Sequence, residues 1–463
     1  MAIGCTEFQR GIHRRKCLLS ASLFGLAGGL GVGGGLFDSV LRGSQPSKGK
    51  VRAKSVIYLH QYGGPSHIDT FDMKPMAADG IRGEFQPVSS SVAGSPVCEY
   101  LPRWGKQLDR WAQIRSVHHD MKNHNPACYY SLTGKRPPTD DIRLRDTLEL
   151  FPAFGSSVAK FSEPVPGVPT FVAYPHVLRD GAIAPGQHAS FLGKQFDPYF
   201  FQADPNSSEF GLPELQLPAN LDLARLERRR ALVELIDQEQ RLIERSSDAR
   251  GLDQLQQQAL RILSSTGLRD ALDLSTESGT LRDAYGRSTY GQSCLLARRL
   301  VQAGVRFVTV YFSQSIGGKG SEGWDTHQEN FKDLRERLLP MTDQTVPTLI
   351  EDLESHGLLD DTLVLWMGEF GRSPQVGDRD GKGRGHWPDC YTVMMAGGGV
   401  QGGSIFGQSD AKGAYPASDP VGPEDIAATL YWALGIDPHA EVYDTQNRPL
   451  AISTGEPIER IFY

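Results

Sequence analysis

Cysteine is scarce, with six residues in 463, and two of them, Cys5 and Cys17, stand close to the start. Cys98, Cys128, Cys294 and Cys390 are far apart, and no two form a Cys-x-x-Cys pair. That usage excludes a disulfide framework and a cysteine-built structural zinc site, and predicts buried, unpaired thiols. Positive charge is also short. The formal net charge is −7, and residues 1–42 carry five Lys/Arg against two acids, so the remainder stands at −10. An acidic body excludes nucleic acid as the main partner, because phosphate contacts need a basic face. A strongly apolar membrane span is missing too. The best stretch, Cys17–Phe37, holds seven glycines in 21 residues, whereas a stable spanning helix takes about 20 strongly apolar residues. What is present is a globular composition, 39% hydrophobic and 22% charged, with 51 Gly and 29 Pro that imply many loops around a scaffold. The length fits two or three domains, or one α/β body with insertions.

Arg14-Arg15-Lys16 stands directly before the uncharged run. A charged segment followed by an apolar one reads as an export leader over 1–42, and the arginine pair resembles a twin-arginine signal, with Cys17 where Phe is usual. The expected destination is the periplasm or another exported location. No clear Ala-x-Ala follows, so the leader is either cut or retained as a membrane attachment. This route carries proteins already folded, which permits a cofactor and requires no disulfide. Residues 43–54 read as a polar linker, and 55–463 as the body.

Ser55–His60, Val305–Phe312, Thr362–Met367 and Tyr391–Met395 are short β-branched and aromatic runs separated by helical stretches. Their alternation predicts a mostly parallel central sheet flanked by helices, with ligands gathering beyond the carboxyl ends of the strands. Leu226, Val233, Ile236 and Ile243 recur at helical spacing and predict an inserted helical hairpin over 217–266. Residues 160–215, rich in Pro and Phe, read as an irregular insertion.

Seven of the 12 histidines fall in short groups beside these strand ends. His60 ends the first strand and His67 follows Gly63-Gly64-Pro65. His118, His119 and His124 precede Pro126, which suits the first turn of a helix and puts His124 near an N-terminus that favours an anion. Asp325 and His327 follow the second strand, Glu369 the third, and His386 leads into the fourth. Imidazole and carboxylate are the ligand set of zinc and related divalent ions. Gathered in one crevice, His60, His67, Asp325, His327, Glu369 and His386 would hold one or two such ions; singly, each is equally a hydrogen-bonded loop residue. Arg372 and Arg384 offer the fork that clamps phosphate, sulfate or carboxylate, or serve as structural arginines.

The leader, Gly63–Asp72, Asn123–Ala127, Leu132-Thr133-Gly134, Tyr285-Gly286-Arg287, Ala297–Leu300, Trp324–His327 and Met367–Arg372 together resemble a family of exported bacterial proteins. That family is domain of unknown function 1501, in the alkaline phosphatase and sulfatase superfamily. The resemblance implies an alkaline phosphatase/sulfatase-like α/β fold, a metal centre and ester hydrolysis. The sulfatase nucleophile motif, Cys/Ser-x-Pro-Ser-Arg running on to Leu-Thr-Gly-Arg, aligns Pro126 with Leu132–Lys135 and puts His124 at the nucleophile position. The Asp-His metal pair of the superfamily falls on Glu369-Phe370, and the acid ending its first strand on His60-Gln61. Asp325, His327 and His386 stand for the remaining metal ligands.

With no oxygen nucleophile at the matched position, His124 is expected to act as ligand or general base rather than to form a covalent intermediate. The function expected is metal-dependent hydrolysis of a sulfate or phosphate ester, small molecule or glycan, with zinc the expected ion and Arg384 or Arg372 offsetting developing charge. The alternative is a non-catalytic anion- or glycan-binding protein on a hydrolase scaffold, and a third reading is a structural partner of other exported proteins.

Overall fold

Every residue of Ser55–Gln61 (β1) is buried, as befits a central strand with neighbours on both edges and layers on both faces. The computed structural model describes residues 51–210, 266–313, 323–378 and 381–463. The leader at 1–42, most of the linker and the hairpin expected over 217–266 lie outside the described residues.

Among the described residues, eight strands form the main sheet. After β1 come Trp111–Val117 (β2), Phe171–Tyr174 (β3), Tyr199–Phe200 (β4), Phe307–Phe312 (β5), Thr362–Met367 (β6), Tyr391–Ala396 (β7) and Ile405–Phe406 (β8). Their spatial order is β8-β2-β7-β6-β1-β5-β3-β4. β1 pairs in parallel with both β5 and β6, and β7 alone runs against the rest. The mostly parallel sheet is therefore as the alternation predicted, and the fold is α/β.

The sheet's two faces follow the period-two alternation of its strands. Ile57 and Leu59 of β1, Val308 and Val310 of β5, and Val364 and Trp366 of β6 share one core. Helices Thr289–Gln302 (α3) and Leu339–Ser355 (α4) cover it with Leu295, Leu300, Leu349 and Leu353. Val56 and Tyr58, Phe307 and Tyr311, and Leu363, Leu365 and Met367 share the other. Helices His124–Thr133 (α1), Phe154–Phe161 (α2) and Pro423–Ala433 (α5) lie over that face. By the same alternation His60 points toward α1 and Gln61 toward α3. None of the described helices is long and apolar enough to cross a membrane.

Two expectations need correction. Residues 160–215 are not merely irregular, since they contribute β3 and β4 to one edge of the sheet. β2 was not anticipated because Gln113 and Arg115 break its apolar run. In the fold Gln113 is fully buried and exchanges hydrogen bonds with Ser95, while Arg115 faces Asp72 at 3.6 Å.

Trp366 of β6 meets Phe71, Trp104 and Trp324 edge-on at 5.6, 5.6 and 5.8 Å between centroids. This aromatic stack lies under the loop that carries Asp325. Trp366→Ala should cost about 3–5 kcal/mol, seen as a fall in the urea midpoint; an unchanged midpoint would mean the stack does not support that loop.

Candidate metal centre

Because β1, β5 and β6 are parallel neighbours, their carboxyl ends open on the same edge of the sheet. The loops that leave them carry Tyr62-Gly63-Gly64, Gly323-Trp324-Asp325 and Gly368-Glu369-Phe370 respectively. Gly63 has φ of +106°, and a Cβ there would lie 2.0 Å from the Asp325 backbone nitrogen, so only glycine lets the β1 loop pass beneath Asp325.

Asp325 is the point on which the site converges. Its Oδ1 lies 2.7 Å from an Arg372 terminal nitrogen, 2.8 Å from His327 Nε2 and 3.1 Å from His386 Nε2. Its Oδ2 faces His124 Nε2 at 3.2 Å. Burial works against the carboxylate's charge, but the hydrogen bonds with His124 and His327 and the Arg372 charge hold it far below the usual carboxylate range. His327 occupies left-handed backbone at φ +37°, which is uncommon for a residue with a side chain and recurs where function overrides local preference.

His124 opens α1, so the sequence reading of a helix N-terminus is met. Its Nδ1 faces Glu369 Oε1 at 2.9 Å while Nε2 faces Asp325. Carboxylates only accept, so both bonds are made together only by an imidazolium. Burial opposes that charge, yet the hydrogen bonds with Asp325 and Glu369 outweigh it and raise the pKa to about 9. His386 behaves oppositely. Its Nδ1–H donates to the Lys122 carbonyl at 2.9 Å, and burial lowers its pKa to about 4 despite Asp325. Neutral His386 therefore presents a bare Nε2 to Asp325 Oδ1, two acceptors 3.1 Å apart. Phe370 stacks on the His386 ring at 4.3 Å and Tyr62 on His124 at 5.0 Å.

Glu369 is fully buried; its Oε1 accepts from the Gly63 N–H at 2.7 Å as well as facing His124. His60 lies behind it against α1, so the residues grouped together by sequence divide between an outer set (His124, Asp325, His327, His386) and an inner set around His60 and Glu369. His67 joins neither. Its Nε2 donates to the Gly413 carbonyl at 2.7 Å, and its other nitrogen lies beneath Gly371.

The arginines are enclosed. Arg384 is fully buried, and all five of its N–H groups are used. Two bonds go to Asp69 at 2.7 and 3.0 Å, and the others to the carbonyls of Ser373, Pro374 and Ile81. Arg372 bonds the carbonyls of Gly63, Gly64, Trp324 and Arg384 as well as Asp325. The anion clamp expected of this pair is thus replaced by internal bracing, since guanidinium groups this deep must be satisfied by protein. Gln61, at the end of β1, points to the other face and bonds Tyr290, Trp324 and its own strand.

Sequence reasoning passed over Cys128, which lies with His60 and Glu369 such that one ligand atom from each is within 4.8 Å of the others. The signal was present: Cys128 follows His124 by four residues and precedes Ser131 by three, one face of a helix.

The chain belongs to the family described as protein of unknown function (DUF1501), whose model matches residues 53–462. No curated protein matches it. Similar solved structures include the lipoteichoic acid synthase LtaP of Listeria monocytogenes, at 12% identity and TM-score 0.35, covering 89% of this chain and 77% of that one. The phosphonate monoester hydrolase SpPMH of Silicibacter pomeroyi is similar at 11% identity and TM-score 0.37, covering 89% and 76%. The PsFucS1 sulfatase of a Pseudoalteromonas species is similar at 13% and 0.37, covering 83% and 68%.

Arg384→Met leaves the buried Asp69 carboxylate without its partner. The expected loss is about 3–5 kcal/mol of stability, with metal affinity of the folded fraction retained; a stable variant with weakened anion binding would instead make Arg384 a ligand-binding residue.

Proposed function

We propose that this protein is an exported, metal-dependent hydrolase of sulfate or phosphate esters. The observation that carries the reading is the convergence of three imidazoles on the Asp325 carboxylate where solvent reaches them, the four side chains being 8–19% exposed. The donor set fits a divalent ion of the zinc type. Asp325 and His386 offer ligand atoms 3.1 Å apart, with His327 Nε2 2.8 Å from the same carboxylate oxygen, and the His386 and Asp325 acceptors facing one another are relieved by a cation between them. Such an ion, when bound, polarises an ester oxygen and acidifies a water.

The chain's own residues would orient and move protons around that chemistry. The Lys122 carbonyl fixes the tautomer of His386, so that Nε2 would be free to hold an ion. Glu369 holds His124 at Nδ1, leaving Nε2 to take or give a proton beside the ester. Tyr62 and Phe370 cover the flat faces of the two rings and limit water to the open side. Negative charge developing on the ester meets the N-terminal end of α1 and the His124 proton rather than a guanidinium. The Arg14-Arg15 leader supports an exported location, with cleavage or membrane retention both compatible with it, and glycan esters or small esters suit a partly open site.

A second reading, a binding protein for sulfated or phosphorylated glycans, is favoured by the enclosed arginines and by a histidine where the superfamily places its nucleophile. Elemental analysis of chelator-free protein, followed by an ester panel with the ion restored, separates the two. Stoichiometric divalent metal and turnover are expected; tight glycan binding without turnover of any ester would establish the second reading. His327→Ala should lower kcat/KM by about 100-fold or more and reduce bound metal with the circular dichroism unchanged. Asp325→Asn should abolish turnover. Global unfolding of His327→Ala would assign that side chain to structure instead.

A further inference from the structure

Behind the outer set, three groups that donate electron pairs, His60, Cys128 and Glu369, bring one ligand atom each within 4.8 Å of the others. Ser131 Oγ donates its single proton to the Cys128 carbonyl at 3.0 Å. It must therefore accept from His60 Nε2, 3.1 Å away. This chain fixes the proton of His60 on Nε2 and leaves Nδ1 as a bare lone pair. His60 is fully buried, and Nδ1 has no hydrogen-bond partner. Glu369 is equally buried, and its Oε2 is likewise without one, although Oε1 is doubly engaged. The Cys128 thiol, buried and unpaired, completes the group. One proton on that sulfur is too few for two orphaned acceptors, and leaving a buried carboxylate oxygen unsatisfied is costly.

We propose that His60 Nδ1, Cys128 Sγ and Glu369 Oε2 form a second, enclosed site for a thiophilic divalent ion, zinc in the first instance, distinct from the solvent-reached set around Asp325. On binding, the thiol proton leaves to solvent and the ion accepts sulfur, nitrogen and oxygen lone pairs, a donor combination typical of zinc. Ser131 is a positioning residue that holds the imidazole by its far nitrogen, the usual arrangement behind a metal-bound histidine. Glu369 links the two sites, because its other oxygen is on His124. The inner ion is thereby a brace for the outer one rather than a participant in ester chemistry, and its existence does not depend on the hydrolase reading.

X-ray absorption of the zinc-loaded full chain tests it directly. A sulfur scatterer at about 2.3 Å is expected in the wild type and in His327→Ala, but not in Cys128→Ser. In that variant zinc content should fall by one equivalent with the circular dichroism retained. Cys294→Ser and Cys390→Ser serve as controls that keep the sulfur signal. Cobalt loading gives an independent readout that needs no variant: a thiolate-to-cobalt charge-transfer band should grow in the near ultraviolet. Zinc-replete wild type with nitrogen and oxygen neighbours alone would overturn the proposal, as would a sulfur signal that survives Cys128→Ser. Loss of turnover in His327→Ala with the sulfur signal intact would leave the inner site standing whatever becomes of the outer one.

Discussion

One buried guanidinium ties together the loops that leave three neighbouring strands. Arg372, itself just beyond β6, bonds carbonyls at Gly63 and Gly64 beyond β1 and at Trp324 beyond β5, and it pairs with Asp325. Each loop on its own would expose carbonyls with no donor, and a buried carbonyl without a donor is costly. The sheet brings these loops to one edge, and Arg372 turns that proximity into a fixed geometry. Asp325 takes its orientation from this clasp, and the three histidines converge on it.

The cost of placing these charges inside the protein explains the density of the network. Desolvating a carboxylate and a guanidinium is repaid only when nearly every donor and acceptor is engaged. Arg384 with Asp69 meets that demand completely, with Ser66 and Asn330 donating to the same carboxylate at 2.6 and 3.1 Å. Asp325 meets it through Arg372, but its imidazole neighbours do not settle into one set of donors. Neutral His386 presents a lone pair where a donor is wanted, whereas His124 needs an extra proton to serve both of its carboxylates. A site whose hydrogen bonds close only with an added positive charge is a different object from a structural ion pair, and the two stand a few residues apart in the same chain.

The sequence reading located the sheet and the strand ends well because buried parallel strands are continuous apolar runs, as in Val305–Phe312 and Thr362–Met367. It lost β2 where Gln113 and Arg115 are satisfied by distant Ser95 and Asp72, partners that no local pattern displays. The placing of His60, Asp325 and Glu369 at one edge followed from the rule that parallel strands deliver their following loops together. What could not be read was depth. Arg372 and Arg384 look alike in sequence, yet one braces Asp325 and the other Asp69; His67 sits in the same glycine-rich loop as the site but turns to Gly413. The four body cysteines are buried and unpaired as their spacing implied, but no local pattern shows that Cys128 meets His60 between α1 and β1.

Depth also separates the two sets of candidate ligands. Solvent reaches the outer histidines, and a site with an open side is the kind at which an ion exchanges water for substrate. His60, Cys128 and Glu369 are closed off entirely, and closed sites with a thiolate are the kind that hold an ion for structure. Glu369 belongs to both, since one oxygen steadies His124 while the other faces the inner set. In the superfamily that this sequence resembles, the matching pair is Asp-His. Glutamate is longer by one methylene, which lets a single carboxylate reach from the loop beyond β6 to α1 and back toward β1. Phe370 then needs no metal-binding role and becomes the wall against which His386 stacks.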